Sequence, residues 1–224
     1  MKHALEFFSK GGPVMYPLLL CSIIALAVII EKLITLRRKK VIIPEVVGVL
    51  NNIKGPGDMG LALSICEKHK GPFANIVRLG FENYGLSREE LKETLNDQGR
   101  QEVHRLEQGL IFLETIGAIA PLLGLLGTVT GILRVFNVIS AMGVGQTTAL
   151  AGGLSEALIT TIAGLFIGIP SVFMYNYFIN KAEGLILAIE KYSVVLLNKV
   201  TSFNSPNYIN DNNDGKEKAK YHAI

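Results

Sequence analysis

Three windows of this sequence carry no charged residue: 14–30, 115–133 and 157–180. Few environments accept runs of that length and apolarity. At 1.5 Å per residue, the first window alone extends for roughly 26 Å, close to the ~30 Å hydrocarbon core of a bilayer. Charged residues make up 18% of the chain, below the roughly 25% usual for a soluble protein. The deficit is not uniform and is concentrated in these windows and their surroundings, while the cytoplasmic segment 31–107 is normally charged. The expected fold is an all-α membrane protein. Three transmembrane helices cross the bilayer, the second and third long and extending into a helical cytoplasmic domain. A basic cluster follows the first window, whereas a secretory signal would place it before. The window therefore reads as a retained span.

The second window is apolar enough for lipid, yet one side of it is wrong for lipid. Gly117, Pro121, Gly124, Thr128 and Gly131 recur at spacings of four and three, which makes one stripe on a helix. The third window carries a similar stripe of Ala157, Thr161, Gly164, Gly168 and Ser171. A simple anchor would carry Leu or Ile there. Small residues imply a closely approaching backbone or a narrow path alongside.

Orientation follows from the basic run Arg37, Arg38, Lys39 and Lys40 directly after the first span. The positive-inside rule places that end in the cytoplasm and the N-terminus outside. The segment 31–107 holds 13 Lys/Arg and 11 Asp/Glu, whereas 135–155 holds no charge. The long segment is therefore inside and the short one outside. The expected layout is a periplasmic N-terminal segment (1–13), a first span (14–36) and a cytoplasmic helical domain (37–110). A second span (111–139), a periplasmic loop (140–155) and a third span (156–180) follow. A cytoplasmic helix (181–201) and a disordered tail (202–224) complete the chain.

Within the N-terminal segment, Leu5, Phe7 and Phe8 among Lys2, Glu6 and Lys10 suggest a short surface helix. In the cytoplasmic domain, Gly55, Pro56 and Gly57 interrupt helices, Asp58 is a candidate cap, and Pro72 opens the next helix. Ser87 with Glu90 forms a capping box. With no comparable stop signal before Pro121, one continuous helix is expected from Ser87 through the second span. Helical periodicity after the third span runs through Leu185, Ile189, Leu196 and Val200.

Most catalytic chemistry is excluded. The sequence has no Walker loop, no paired-cysteine metal motif and no nucleophile elbow. His3, His69, His104 and His222 are scattered, and Cys66 and His69, one turn apart, lack partners for a metal site. No cofactor or enzymatic activity is expected. Cys21 and Cys66 lie in different environments, so no disulfide is expected between them. The net charge of +3 is too small and dispersed to argue for nucleic acid.

What remains is a set of polar groups within apolar helices. Thr128, Thr160 and Thr161 either bond their own helix carbonyls or line a shared polar path. Glu156, at the outer edge of the third span, is either functional or a solvated cap near the helix N-terminus. Arg134, at the outer end of the second span, can snorkel. No carboxylate lies in the middle of any span. Hydroxyls cannot store and release protons, so a titrating acid for proton transfer must come from another chain.

The segments APLLGLLGTVTGI (120–132) and EALITTIAGLFIGIPSVFMYN (156–176) resemble the MotA/TolQ/ExbB proton channel family, nearest to ExbB and TolQ. Three spans fit those members better than the four-span MotA. The resemblance implies a homopentamer around helices of an ExbD- or TolR-like single-span partner, whose aspartate takes up the proton, and a TonB- or TolA-like energy transducer. It implies a proton pathway through Thr128, Thr161 and Glu156. It assigns a pore or packing role to Pro121 and Gly124, alongside Gly117, Gly131, Gly164 and Gly168 of the two small stripes. The implied function is a proton-driven inner-membrane motor that works on the outer membrane through TonB-dependent nutrient uptake. The alternatives are a TolQ-type role in envelope maintenance or a non-conducting scaffold.

Overall fold

The computed structural model describes residues 11–143 and 147–203. The anticipated surface helix before residue 11 and the polar tail beyond residue 203 lie outside the described residues. Among the described residues the regular structure is entirely helical. In chain order the helices are α1 (Met15–Thr35), α2 (Arg38–Val41), α3 (Pro44–Asn52), α4 (Met59–Lys68), α5 (Pro72–Glu82), α6 (Arg88–Glu107), α7 (Leu110–Met142) and α8 (Thr147–Phe203). A 3₁₀ turn at Pro56–Asp58 precedes α4. The chain divides into two compact units, with the division on α8 falling between Asn180 and Lys181.

The first unit comprises α1, α7 and α8 as far as Asn180. Met15, Leu18, Ala25 and Val28 of α1 pack with Leu110, Leu113, Ile116 and Ala120 of α7 and with Phe178 of α8. The outward faces are also apolar: Leu20, Leu122, Leu125, Phe166 and Phe173 are all exposed, Phe166 by 80%. A protein surrounded by water does not present so continuous an apolar surface. Lipid accounts for it, and α1, α7 and α8 are each long and apolar enough to cross a bilayer. This is the architecture of a membrane protein.

The second unit comprises α2 to α6 and the end of α8 from Lys181. Val46, Leu50, Phe73, Ile76, Val77, Phe81, Leu91 and Leu95 are buried with Leu185, Ile189, Leu196 and Val200 of α8. Burial of each large side chain contributes about 1.5–3 kcal/mol. The Phe73 and Tyr192 rings lie 5.2 Å apart. Polar ties reinforce the packing: Arg88 donates to Asn198 at 2.8 Å, and Lys199 donates to the Asn51 carbonyl at 2.6 Å. Glu102 is buried and accepts through one carboxylate oxygen from Asn75, Gln98 and Arg105.

The capping box forms as its sequence predicts. Ser87 donates its backbone N–H and its hydroxyl to Glu90, and the Glu90 N–H returns to Ser87 Oγ. These bonds hold the Glu90 carboxyl below its ordinary range. Asp58 does not cap α4 with its side chain. Its carboxylate instead accepts from the Lys54 N–H at 3.1 Å, closing the Gly-Pro-Gly turn.

One expectation is corrected. The helix opened by Ser87 does not run unbroken into the second span. It ends at Glu107, and α7 begins at Leu110. Gly109, with φ +90°, occupies the left-handed region that L side chains rarely adopt. The Lys32 stem, on buried Lys32 of α1, lies beside this break. No proline announces it, and a lone glycine is a weak stop signal in sequence. α7 extends to Met142 and α8 starts at Thr147, so helix reaches from both sides into the stretch between the second and third spans.

Candidate functional site

Within the first unit, α7 and α8 run antiparallel and meet along the two small-residue stripes. A Cβ placed on Gly164 would lie 2.5 Å from the Ala120 carbonyl oxygen and 3.0 Å from Gly124 Cα. One on Gly168 would lie 2.7 Å from the Pro121 ring, and one on Gly131 would lie 2.8 Å from Ala157 Cβ. Gly117 rests against Val172. The helices therefore touch backbone to backbone. The second-span stripe packs along the third span of its own chain.

Two hydroxyls interrupt this seam. Thr128 and Thr161 are half-buried, and their Oγ1 atoms are hydrogen-bonded to each other. Both also reach the same two carbonyls. Thr128 Oγ1 lies 3.2 Å from the Gly124 oxygen and 3.3 Å from the Ala157 oxygen. The corresponding distances from Thr161 Oγ1 are 3.1 and 3.4 Å. Each hydroxyl has one proton to donate. Either Thr128 donates to Thr161, which donates to a carbonyl, or the direction reverses. The geometry accommodates both arrangements, so the pair can reverse its hydrogen-bond polarity without losing a partner. Thr160 differs from both. It is buried against Gly127 and donates to carbonyls of its own helix, those of Glu156 and Ala157.

Glu156 lies on the same helix pair, nearer the α7–α8 connection. Its carboxylate accepts from Arg134 Nη1 at 2.6 Å, and its side chain is 17% exposed. It also lies against the backbone of Gly12, whose φ of +68° and lack of a side chain leave room for the carboxylate. Glu156 is not a helix cap, since α8 begins nine residues earlier at Thr147. Neither the Arg134 pairing nor the Gly12 contact was anticipated from sequence. The antiparallel register contains the missing signal. In the contacts of Gly117 with Val172, Pro121 with Gly168, Thr128 with Thr161, Gly131 with Ala157 and Arg134 with Glu156, the residue numbers add to 288–290.

The other site residues fall elsewhere. Arg37, Arg38, Lys39 and Lys40 form an exposed segment beginning two residues after α1 ends. Cys66 is buried in the second unit, and burial pushes its thiol up to about 11. Among the described residues, no group of three or more His, Cys, Asp or Glu side chains is placed to hold a metal ion. The sequence contains no acid between residues 115 and 133 or between 157 and 180. The seam thus supplies hydroxyls, carbonyls and one ion pair, all joined by hydrogen bonds.

Comparison with known proteins identifies the relatives of this chain. The model of the MotA/TolQ/ExbB proton channel family matches residues 68–191. An ExbB homolog of Methanothermobacter thermautotrophicus is 31% identical over 205 residues, covering 89% of this chain and 69% of the relative. An ExbB-like protein of Synechocystis is 35% identical over 181 residues, covering 79% and 70%. The Tol-Pal system protein TolQ of Pseudomonas aeruginosa is 42% identical over 86 residues, covering 38% and 37%. With more than half of its length matched by the family model, this chain belongs to the MotA/TolQ/ExbB proton channel family.

Proposed function

We propose that this chain is the ExbB/TolQ-like subunit of an inner-membrane motor driven by protons. Five copies form a ring around the membrane helices of an ExbD- or TolR-like partner, whose aspartate is the titrating group. The N-terminus is periplasmic and the C-terminus cytoplasmic, in keeping with the basic run at Arg37 to Lys40. Protons enter at the end marked by Glu156 and protonate the partner aspartate. Loss of that charge removes most of its desolvation penalty, which frees the partner helices to move against the ring. Thr128 and Thr161 hydrogen-bond the aspartate and pass the proton on. The motion reaches a TonB-like transducer and drives nutrient uptake across the outer membrane.

The observation that carries this reading is the reversible Thr128–Thr161 hydroxyl pair in a seam whose apolar runs contain no acid. A relay group must donate and accept in turn, and each of these hydroxyls has a partner in both directions. The test replaces Thr128 or Thr161 with Val, which keeps shape and removes the hydroxyl. Proton-driven uptake is then measured in cells where assembly with the partner has been verified. Loss of uptake in an intact assembly is expected, and full uptake there would overturn the relay.

The glycine contacts between α7 and α8 support a second reading, a non-conducting scaffold in which the stripes only pack helices. It predicts that Thr→Val is tolerated while Gly124→Leu is not. A TolQ-type role in envelope maintenance differs only in the transducer. Identification of the co-purifying transducer, TonB-like or TolA-like, separates the two.

A further inference from the structure

Beyond the proton path, the second unit carries a basic surface assembled from two distant parts of the sequence. Arg37, Arg38, Lys39 and Lys40 are all exposed, as are Lys68 and Lys70 at the end of α4. The fold brings the segments together at Gly71. A Cβ on Gly71 would lie 2.9 Å from the Lys40 carbonyl oxygen and 3.3 Å from Ile43 Cδ1. The backbone of Gly71 is extended, so close approach rather than conformation favours glycine here. The turn after α4 is thereby seated directly on the segment that leaves the membrane.

We infer that Arg37, Arg38, Lys39, Lys40, Lys68 and Lys70 form a binding surface for anionic phospholipid headgroups, in the leaflet where α1 ends. Three observations carry it. Among the described residues, Arg38, Lys39, Lys40, Lys68 and Lys70 form no salt bridge with an acidic side chain. No acid lies within 37–40 or 68–70, and the acids nearest them in sequence are Glu31, Glu45 and Glu67, leaving a clear positive excess. Lys40 follows the end of α1 at Thr35 by five residues, a reach of at most about 17 Å. The patch therefore stays near the bilayer surface, where an anionic leaflet attracts basic side chains over about a Debye length. The surface does not depend on which way the chain crosses the membrane.

Lys68 and Lys70 make the inference testable, because they lie outside the run that sets topology. The full chain, purified in detergent, is titrated with dioleoylphosphatidylglycerol or dioleoylphosphatidylcholine in mixed micelles, and the rise in thermal midpoint is followed. The wild type is expected to respond at lower phosphatidylglycerol than phosphatidylcholine, with the preference lost in 500 mM salt. Each basic residue at such a surface contributes about fivefold to binding, so Lys68→Gln with Lys70→Gln is expected to raise the half-saturating phosphatidylglycerol roughly thirtyfold. Lys92→Gln with Arg100→Gln removes the same charge elsewhere in the unit and is expected to leave the response unchanged. Equal shifts in the two double variants, a wild-type response from the first, or no headgroup preference in the wild type would overturn the proposal. Circular dichroism of each variant establishes that it remains folded.

Discussion

Arg134 near the end of α7 and Glu156 on α8 are joined by a 2.6 Å ion pair, and the Glu156 carboxylate also lies against the backbone of Gly12. One acid thus touches the approach to α1 and both helices of the seam. Arg134 is half-exposed, so the pair is screened and its coupling is modest, about 0.5–1 kcal/mol. Arg134→Gln leaves Glu156 without its cation and is expected to lower the thermal midpoint at low salt. Glu156→Gln in that background is expected to recover part of the loss. A double-mutant cycle on thermal unfolding measures the coupling. A cycle that closes to within about 0.3 kcal/mol would show that the pair contributes nothing.

The glycines of α8 separate into two kinds, and substitution is expected to change sign between them. A Cβ on Gly164 meets the Ala120 carbonyl at 2.5 Å, whereas one on Gly184 meets nothing within 4 Å. Backbone cannot move aside as a flexible side chain can. Gly164→Ala is therefore expected to force α7 and α8 apart and to cost about 1–3 kcal/mol. Gly184→Ala lies in an open helical position and is expected to stabilise by about 0.4–1 kcal/mol, through lower entropy of the unfolded chain. Thermal midpoints of the two variants in detergent decide the matter, and equal effects would rule out close packing at Gly164.

Much of this could be read in the chain before its structure, and the failures have two causes, long-range register and one local backbone angle. The apolar windows announce α1, α7 and α8 because no other environment accepts such runs. The Ser87–Glu90 box and Pro72 mark helix starts through local chemistry, which sequence displays directly. The small stripes indicate a close approach but not its partner. Gly124 meets Thr161, and that pairing depends on where the α7–α8 connection fixes the register. The Arg134–Glu156 pair was hidden for the same reason, since its members are 22 residues apart. The break at Gly109 depends on a backbone angle that glycine permits but does not require.

Cys66 offers a chemical check on the second unit. Its thiol is buried, and its pKa is raised from 9.0 to about 11. The thiolate is the reactive form, so at pH 8 its fraction falls about a hundredfold relative to an ordinary thiol in the unfolded chain. In a Cys21→Ala background, alkylation of Cys66 by iodoacetamide is expected to be slow in the folded protein and to accelerate on denaturation. The pH dependence has a definite sign. As pH rises from 9 to 11, the unfolded thiol ionises before the folded one, so the folded state loses stability across that window. Stability in that range is expected to decline less in Cys66→Ala. Identical pH profiles would place the thiol in water.

The Thr128–Thr161 pair makes a prediction about additivity that separates passage of a proton from packing. If the two hydroxyls act in series, removal of either interrupts the path, and removal of both causes no further loss. Thr128→Val, Thr161→Val and the double variant are then expected to show the same residual proton-driven uptake. Packing effects at two contacting side chains combine differently, because each Val changes the contact surface and the double change accumulates strain or relief. Serine provides the matching control. It retains the hydroxyl and drops one methyl group, so Thr128→Ser and Thr161→Ser are expected to keep most of the uptake at a small cost in stability. The thermal cost of Thr→Val is expected to be about 0.5–1.5 kcal/mol, since the remaining hydroxyl keeps the Gly124 and Ala157 carbonyls as acceptors. Uptake and thermal midpoint measured on the same five variants distinguish the cases. Uptake that tracks stability across the set indicates packing, whereas uptake that tracks the hydroxyls alone indicates a relay.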